Sequence, residues 1–181
     1  DRAGADFLKV CGQVKEMLGT KAVPLQLPIG AEETFKGVVD LVENKAIVWN
    51  EDDMGMTFQE VPIPEDMVDE VREYRANLVE SVAEYDEVLM EKFFEDENSI
   101  TKDEIIAALR AATIDLAFVP MMCGSAFKNK GVQTMLDYVM ELLPSPLDRE
   151  SVTGINPDTE EPVQRKPEYD APFAALAFKI A

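Results

Sequence analysis

The sequence has no histidine, only two cysteines and one tryptophan, and 17 lysines and arginines against 36 aspartates and glutamates in its 181 residues. Each shortage narrows what the chain can do. Cys11 and Cys123 sit in apolar settings, with neither metal-ligand spacing nor the density of a secreted disulfide scaffold. A reducing compartment is therefore expected, with the cytoplasm as the default, and no metal site. The formal charge of −19 repels phosphate backbones and anionic head groups, so direct nucleic-acid binding and membrane adhesion are not expected and a basic protein surface is the favoured partner. No apolar run approaches the roughly 20 residues needed to span a bilayer, and nothing has the pattern of a signal peptide. Hydrophobic residues still make up 46% of the chain, the share of an ordinary folded globule. Asp1 is not a methionine and Ala181 falls inside an apolar run, so both ends are expected to be cuts through something longer.

Periodicity divides what is there. From Ala3 to Leu18 the residues Phe7, Val10, Cys11, Val14, Met17 and Leu18 recur at steps of three and four, which predicts an amphipathic helix stopped by Gly19. Short β-prone runs follow at Val23 to Leu27, Phe35 to Val42, Ala46 to Trp49 and Thr57 to Ile63, separated by turn residues, and predict a small, mostly antiparallel sheet. Pro62 to Asp66 opens a helical pattern that continues to about Phe94, roughly 45 Å if unbroken. Thr101 with Glu104 is a capping-box signature for a helix through about Ala112. Leu116 to Met122 reads as a buried strand, and Val132 to Leu143 as a further helix. Six of the eleven prolines (144, 146, 157, 162, 167 and 172) fall in the last 38 residues, a density expected of a linker rather than of a helix or central strand. Phe173 to Ile180 then looks like the opening strand of another domain.

Taken alone, Cys123-Gly124-Ser125-Ala126 after an apolar strand ordinarily just makes a turn. Its context is more specific. The chain begins Asp1-Arg2-Ala3-Gly4-Ala5-Asp6-Phe7, Cys123 to Gln133 reads CGSAFKNKGVQ, and Leu142-Leu143-Pro144-Ser145-Pro146 follows. With LPIGAEE at 27–33 and FKGVVDLVENKAIVW at 35–49, these strings closely resemble elongation factor G, a translational GTPase, over essentially the whole chain. The resemblance implies that Asp1 is the last residue of an Asn-Lys-x-Asp motif and that Ser125 and Ala126 form the second guanine-contacting loop. The chemistry suits those types: a carboxylate accepts two hydrogen bonds from guanine N1 and N2, while N–H groups of a Ser-Ala turn reach O6. Adenine presents an acceptor there, and an unpaired buried polar group costs about 1–3 kcal/mol.

Two absences limit the activity of the chain. There is no Gly-x-x-x-x-Gly-Lys-[Ser/Thr] loop, whose backbone nest and lysine cradle the β- and γ-phosphates and magnesium. The water-positioning histidine that the resemblance implies is missing too. GTP or GDP with magnesium is thus expected in the parent protein, the chain itself is expected neither to bind nor to hydrolyse GTP, and no catalytic residue is assigned.

The long helical pattern carries the densest charge. Between Glu65 and Glu97 there are thirteen acids and three bases. At about 100° per residue Val71, Tyr74, Leu78, Val82, Tyr85 and Leu89 share one face, and Asp66, Asp69, Glu73, Glu80, Glu84, Glu87 and Glu91 lie nearly opposite. Like charges at these spacings cost a few tenths of a kcal/mol each, so a helix built only for stability would mix signs. An acidic face is ordinarily just solvated; the sharper reading is a docking stripe for a basic helical partner. The resemblance implies the C-terminal domain of the ribosomal stalk protein as that partner, with Glu80, Glu84 and Glu87 at the contact and Glu73 and Glu91 flanking it. Met67, Met90, Phe93 and Phe94 are expected in the core.

The expected architecture is α/β: the C-terminal part of a phosphate-loop GTPase domain (residues 1–22 and 113–147), interrupted by an α+β subdomain (23–112) and followed by a linker and the first strand of a β-barrel (148–181). The function implied for the parent is GTP-dependent translocation of transfer and messenger RNA on the ribosome. Two alternatives stand beside it: a sister GTPase of the ribosome-protection or release-factor type, against which Leu27 to Trp49 speaks, and an acidic protein-interaction module with no nucleotide role.

Overall fold

A computed structural model of the chain describes residues 1–96, 99–148, 151–175, 177 and 179, in two units, Asp1–Leu143 and Pro144–Ala181. Helix α1 (Phe7–Leu18) begins where the Asp6 side chain accepts a hydrogen bond from the Lys9 N–H and ends at Gly19, whose φ of 64° and N–H to the Lys15 carbonyl close the last turn. Strand β1 (Lys21–Pro24) pairs in parallel with β6 (Phe118–Met121), Lys21 opposite Phe118. Strands β2 (Gln26–Ile29), β3 (Gly37–Asp40), β4 (Lys45–Trp49) and β5 (Phe58–Val61) form an antiparallel meander in sequence order.

The run Val23 to Leu27, expected as one strand, is thus divided between two sheets. Leu25 is the joint: its N–H donates to the Met121 carbonyl (2.9 Å), and its own carbonyl accepts from the Leu41 N–H (2.9 Å). The antiparallel sheet expected between Ala22 and Pro62 is present, and both its faces are covered over β2 to β4. Leu27, Ile29, Val39 and Ala46 belong to a core shared with Val71, Leu78 and Val82 of α2 (Val68–Tyr85) and with Ile105 and Leu109 of α4 (Lys102–Ile114). On the reverse face Phe35, Val38, Ile47 and Trp49 make a second cluster against Cys123.

The helix expected to run to about Phe94 is broken. Asp86, at φ −128° and ψ 117°, leaves helical geometry between α2 and α3 (Glu87–Asp96). Its carboxylate accepts from the Val88 and Leu89 N–H groups at 2.9 and 3.1 Å, so the side chain starts a new helix instead of continuing the old one. Val71, Leu78, Val82 and Leu89 are buried as the face predicts, and Met67, Met90 and Phe93 pack against the core. Phe94 does not: it is 79% exposed, edge-on to Phe93 at 6.1 Å. The capping box of α4 is formed, Thr101 and Glu104 each accepting from the other's backbone N–H.

Helix α5 (Val132–Leu142) returns across the core, and Tyr138 donates to both carboxylate oxygens of buried Asp40 at 2.9 Å. Arg110 of α4 donates to the Glu141 and Leu143 carbonyls, 2.9 Å each, at the negative end of α5.

The second unit is more than a linker. After a short 3₁₀ turn at Pro146–Asp148, β7 (Val152–Ile155) and β8 (Pro162–Arg165) form an antiparallel hairpin. Proline is tolerated because Pro162 is the first residue of a strand with one neighbour. Of the strand expected over Phe173 to Ile180, residues 176, 178 and 180 lie outside the described residues, and the others carry no strand.

Candidate functional site

A cavity of about 310 Å³ opens where the N-terminal loop, the turn after β2 and the end of β6 converge; Asp1, Asp6, Glu32, Phe35, Cys123 and Gly124 are among its walls. The N-terminal loop is held by two hydrogen bonds, Ala5 N–H to the Arg2 carbonyl (3.1 Å) and Gly4 N–H to Glu32 Oε1 (2.6 Å). The opposing turn is tight. Gly30 has φ +80°, and a Cβ there would stand 2.2 Å from the Thr34 carbonyl oxygen, so a side chain has no room. The Thr34 hydroxyl donates to the Ala31 carbonyl (2.7 Å) and accepts from its N–H (3.1 Å).

The third wall leads into a hairpin loop. Ser125 and Lys130 exchange both backbone hydrogen bonds, at 2.8 and 2.9 Å, and the Ser125 hydroxyl accepts from the Lys128 N–H at 3.2 Å. Lys130 is only 2% exposed. Its Nζ donates to the Phe35 carbonyl (2.9 Å) and to Glu51 Oε1 (2.6 Å), so a buried cation is paired and hydrogen-bonded. That bond from Lys130 holds the Glu51 carboxyl below the usual glutamate range. Beside it Trp49 Nε1 donates to Gln133 Oε1 (3.0 Å), and Gln133 Nε2 and Asn129 Nδ2 both donate to the Gly55 carbonyl (3.1 Å each). The β4–β5 loop is thereby fastened under the 125–131 loop. Burial pushes the Cys123 thiol up to about 12 and raises that of Cys11 as well, so neither is a ready nucleophile.

Of the residues expected at the guanine corner, Asp1 and the Cys123-Gly124 pair border one cavity; Ser125 and Ala126 follow Gly124 directly and are not among its walls. Ser125 is buried, and its N–H is already engaged by Lys130. Among the described residues neither the Asp1 carboxylate nor the Ala126 N–H has a hydrogen-bond partner. Of the two N–H groups of the Ser125-Ala126 turn, that of Ser125 is taken by the Lys130 carbonyl and that of Ala126 is open among the described residues. Glu32, Lys130 and Gln133 were not singled out by the sequence. The partners of Lys130 are 95 and 79 residues away, and no local pattern announces them.

The acidic residues are all exposed, Glu73, Glu80 and Glu84 on α2 and Glu87 and Glu91 on α3. The stripe therefore turns a corner at Asp86 instead of following one axis. Glu84 is partly neutralised within the chain: Lys21 Nζ of β1 lies 2.8 Å from its carboxylate and holds it below the usual range. Among the described residues no helix is long and apolar enough to cross a membrane, and no group of three or more acids and cysteines is arranged to hold a metal ion.

No family model matches the chain. Over all 181 residues it is 72% identical to elongation factor G of Cytophaga hutchinsonii and 61% identical to that of Amoebophilus asiaticus, and it spans 26% of the length of each. A crystal structure from Thermus thermophilus superposes on 81% of the chain with a TM-score of 0.70 at 26% identity; the match takes in 21% of that longer chain.

Proposed function

From the premise that the chain is similar to elongation factor G along its whole length, we propose that it is a segment of a longer GTP-binding, GTP-hydrolysing elongation factor of protein synthesis, and that it supplies the guanine-reading corner. In this reading the parent acts on the ribosome in the cytoplasm as a translocase. Residues 1–22 and 113–147 are the end of its phosphate-loop GTPase domain, 23–112 an inserted α+β subdomain, and 148–181 the passage into a β-barrel domain. The change from parallel to antiparallel pairing at Leu25 supports a boundary within a few residues of 23. GTP or GDP with magnesium is held for its phosphates by parts of the parent outside these residues, and hydrolysis, the chemistry that nucleotide supplies, takes place there. What this chain contributes is base choice, with the Asp1 carboxylate accepting from guanine N1 and N2 and the Ala126 N–H donating to O6.

The observation that carries the reading is the convergence of Asp1 and Cys123-Gly124 on one cavity from opposite ends of the first unit. Calorimetry tests it. The longer protein binds GDP, and Asp1→Asn, which offers a donor where the carboxylate accepted, moves its preference from guanosine to xanthosine nucleotides. The 181-residue chain alone shows no GTP-over-ATP preference at millimolar nucleotide. A longer protein that binds guanosine and adenosine nucleotides equally would remove the base-reading role.

The acidic corner formed by Glu80, Glu84 and Glu87, flanked by Glu73 and Glu91, is proposed as the docking face for the basic C-terminal domain of the ribosomal stalk protein. Exposure of all five and their like-signed charge along the two helices support this, with Lys21 paired to Glu84. Reversing Glu80, Glu84 and Glu87 to lysine abolishes binding to the isolated stalk domain, and added salt weakens the parent's binding; unchanged affinity of the triple variant would leave a merely solvated face.

A further inference from the structure

The turn from Gly30 to Phe35 touches both loops that border the cavity, each through a hydrogen bond. Glu32 Oε1 accepts from the Gly4 N–H at 2.6 Å, three residues beyond Asp1. The Phe35 carbonyl accepts from Lys130 Nζ at 2.9 Å, and Lys130 is bonded through both backbone groups to Ser125, the residue before Ala126. The turn is itself rigid: Gly30 packs too closely on Thr34 for any side chain, Thr34 closes back on Ala31, and Glu32 holds a φ of 51°, rare for a residue with a side chain. One short element of the antiparallel sheet thus grips the acceptor loop on one side and the donor loop on the other.

Reading a base edge through two groups requires both to be in place at once. If each loop fluctuates independently, the second hydrogen bond is formed only part of the time and its contribution to selectivity falls. We propose that Glu32 and Lys130 are positioning residues for base recognition, fixing the separation of Asp1 and Ala126 so that discrimination among purines is set by hydrogen bonds that hold the two loops and not by further bonds to the base edge. This rests on the guanine reading above.

Inosine diphosphate, which lacks the N2 amino group, isolates one of the two bonds to Asp1. In the longer protein, GDP and IDP affinities are measured for the parent, Glu32→Ala, Glu32→Gln and Lys130→Met, with the melting temperature of each. Glu32→Ala lowers the GDP/IDP preference roughly five- to tenfold, the worth of one hydrogen bond, with little change in melting temperature because Glu32 is exposed. Glu32→Gln keeps an acceptor oxygen and restores the ratio, an outcome a general loss of structure would not give. Lys130→Met loosens the donor to O6, a group both nucleotides carry, so it weakens GDP and IDP together and leaves their ratio unchanged. A GDP/IDP ratio unchanged in Glu32→Ala overturns the proposal, whether or not Lys130→Met folds. A parent that does not itself prefer GDP to IDP or ADP would instead sink the guanine reading on which the proposal stands.

Discussion

The antiparallel sheet with α2 and α4 differs from the parallel pair with α1 and α5 in how much covering each finds within the chain. All four residues of β3 are buried, and Leu109 of α4 and Val82 of α2 are fully so. Helix α1, more strongly amphipathic in sequence than α2 or α4, buries only Cys11 and leaves Met17 and Leu18 79% and 69% exposed. Helix α5 shows Met135, Leu136, Val139 and Met140 to solvent. The first region carries its own core, whereas the second presents a hydrophobic face without a lid among the described residues. A two-stranded sheet is marginal alone, so the parallel pair depends on packing beneath it, where Val23 and Phe118 enter the common core.

This contrast makes unequal predictions. Leu109→Ala, at a site with no exposure, costs about 2–5 kcal/mol of unfolding free energy in urea titration, because the cavity it leaves is closed on all sides. Next comes acid. Hydrogen bonds from Lys92 and then from Thr101 lower Glu104 from 4.5 to about 2. A carboxyl depressed on folding contributes stability that is whole above its unfolded value and lost as pH falls through the folded one. The gap in urea midpoint between the parent and Glu104→Gln is therefore constant above pH 4.5 and closes as the pH approaches about 2. The smallest effect is Met140→Ala: at 76% exposure the change stays within about 0.5 kcal/mol. If Met140→Ala cost as much as Leu109→Ala, the face of α5 would be covered after all and the contrast would fail.

Where local chemistry decides structure, the sequence was legible. Gly19 ends α1, Thr101 and Glu104 cap α4, and short β-prone runs between turn residues mark the antiparallel strands. The break at Asp86 was hidden because an aspartate among a dozen other acids reads as one more charge; only its hydrogen bonds to Val88 and Leu89 separate a helix start from a helix interior. Phe94 is apolar at helical spacing, but the turn at Asp86 redirects the face it sits on. The β7–β8 hairpin was missed because proline density argues against strands in general, while a first-residue proline on an edge is exempt. At the candidate site Asp1 and the small residues of 123–126 are expected through resemblance, and Asp1, Cys123 and Gly124 of them line the cavity. Lys130 is not expected, since a lysine between Asn129 and Gly131 looks like any exposed turn residue and its burial is imposed by Phe35 and Glu51 from far along the chain.

The Leu25 peptide, which donates to β6 on one side and accepts from Leu41 on the other, leaves no spare backbone between the two sheets. A linker of even a few residues would let one half shift while the other stayed still. Here a displacement of the parallel strands pulls directly on the antiparallel ones. The two sheets therefore behave mechanically as a single part.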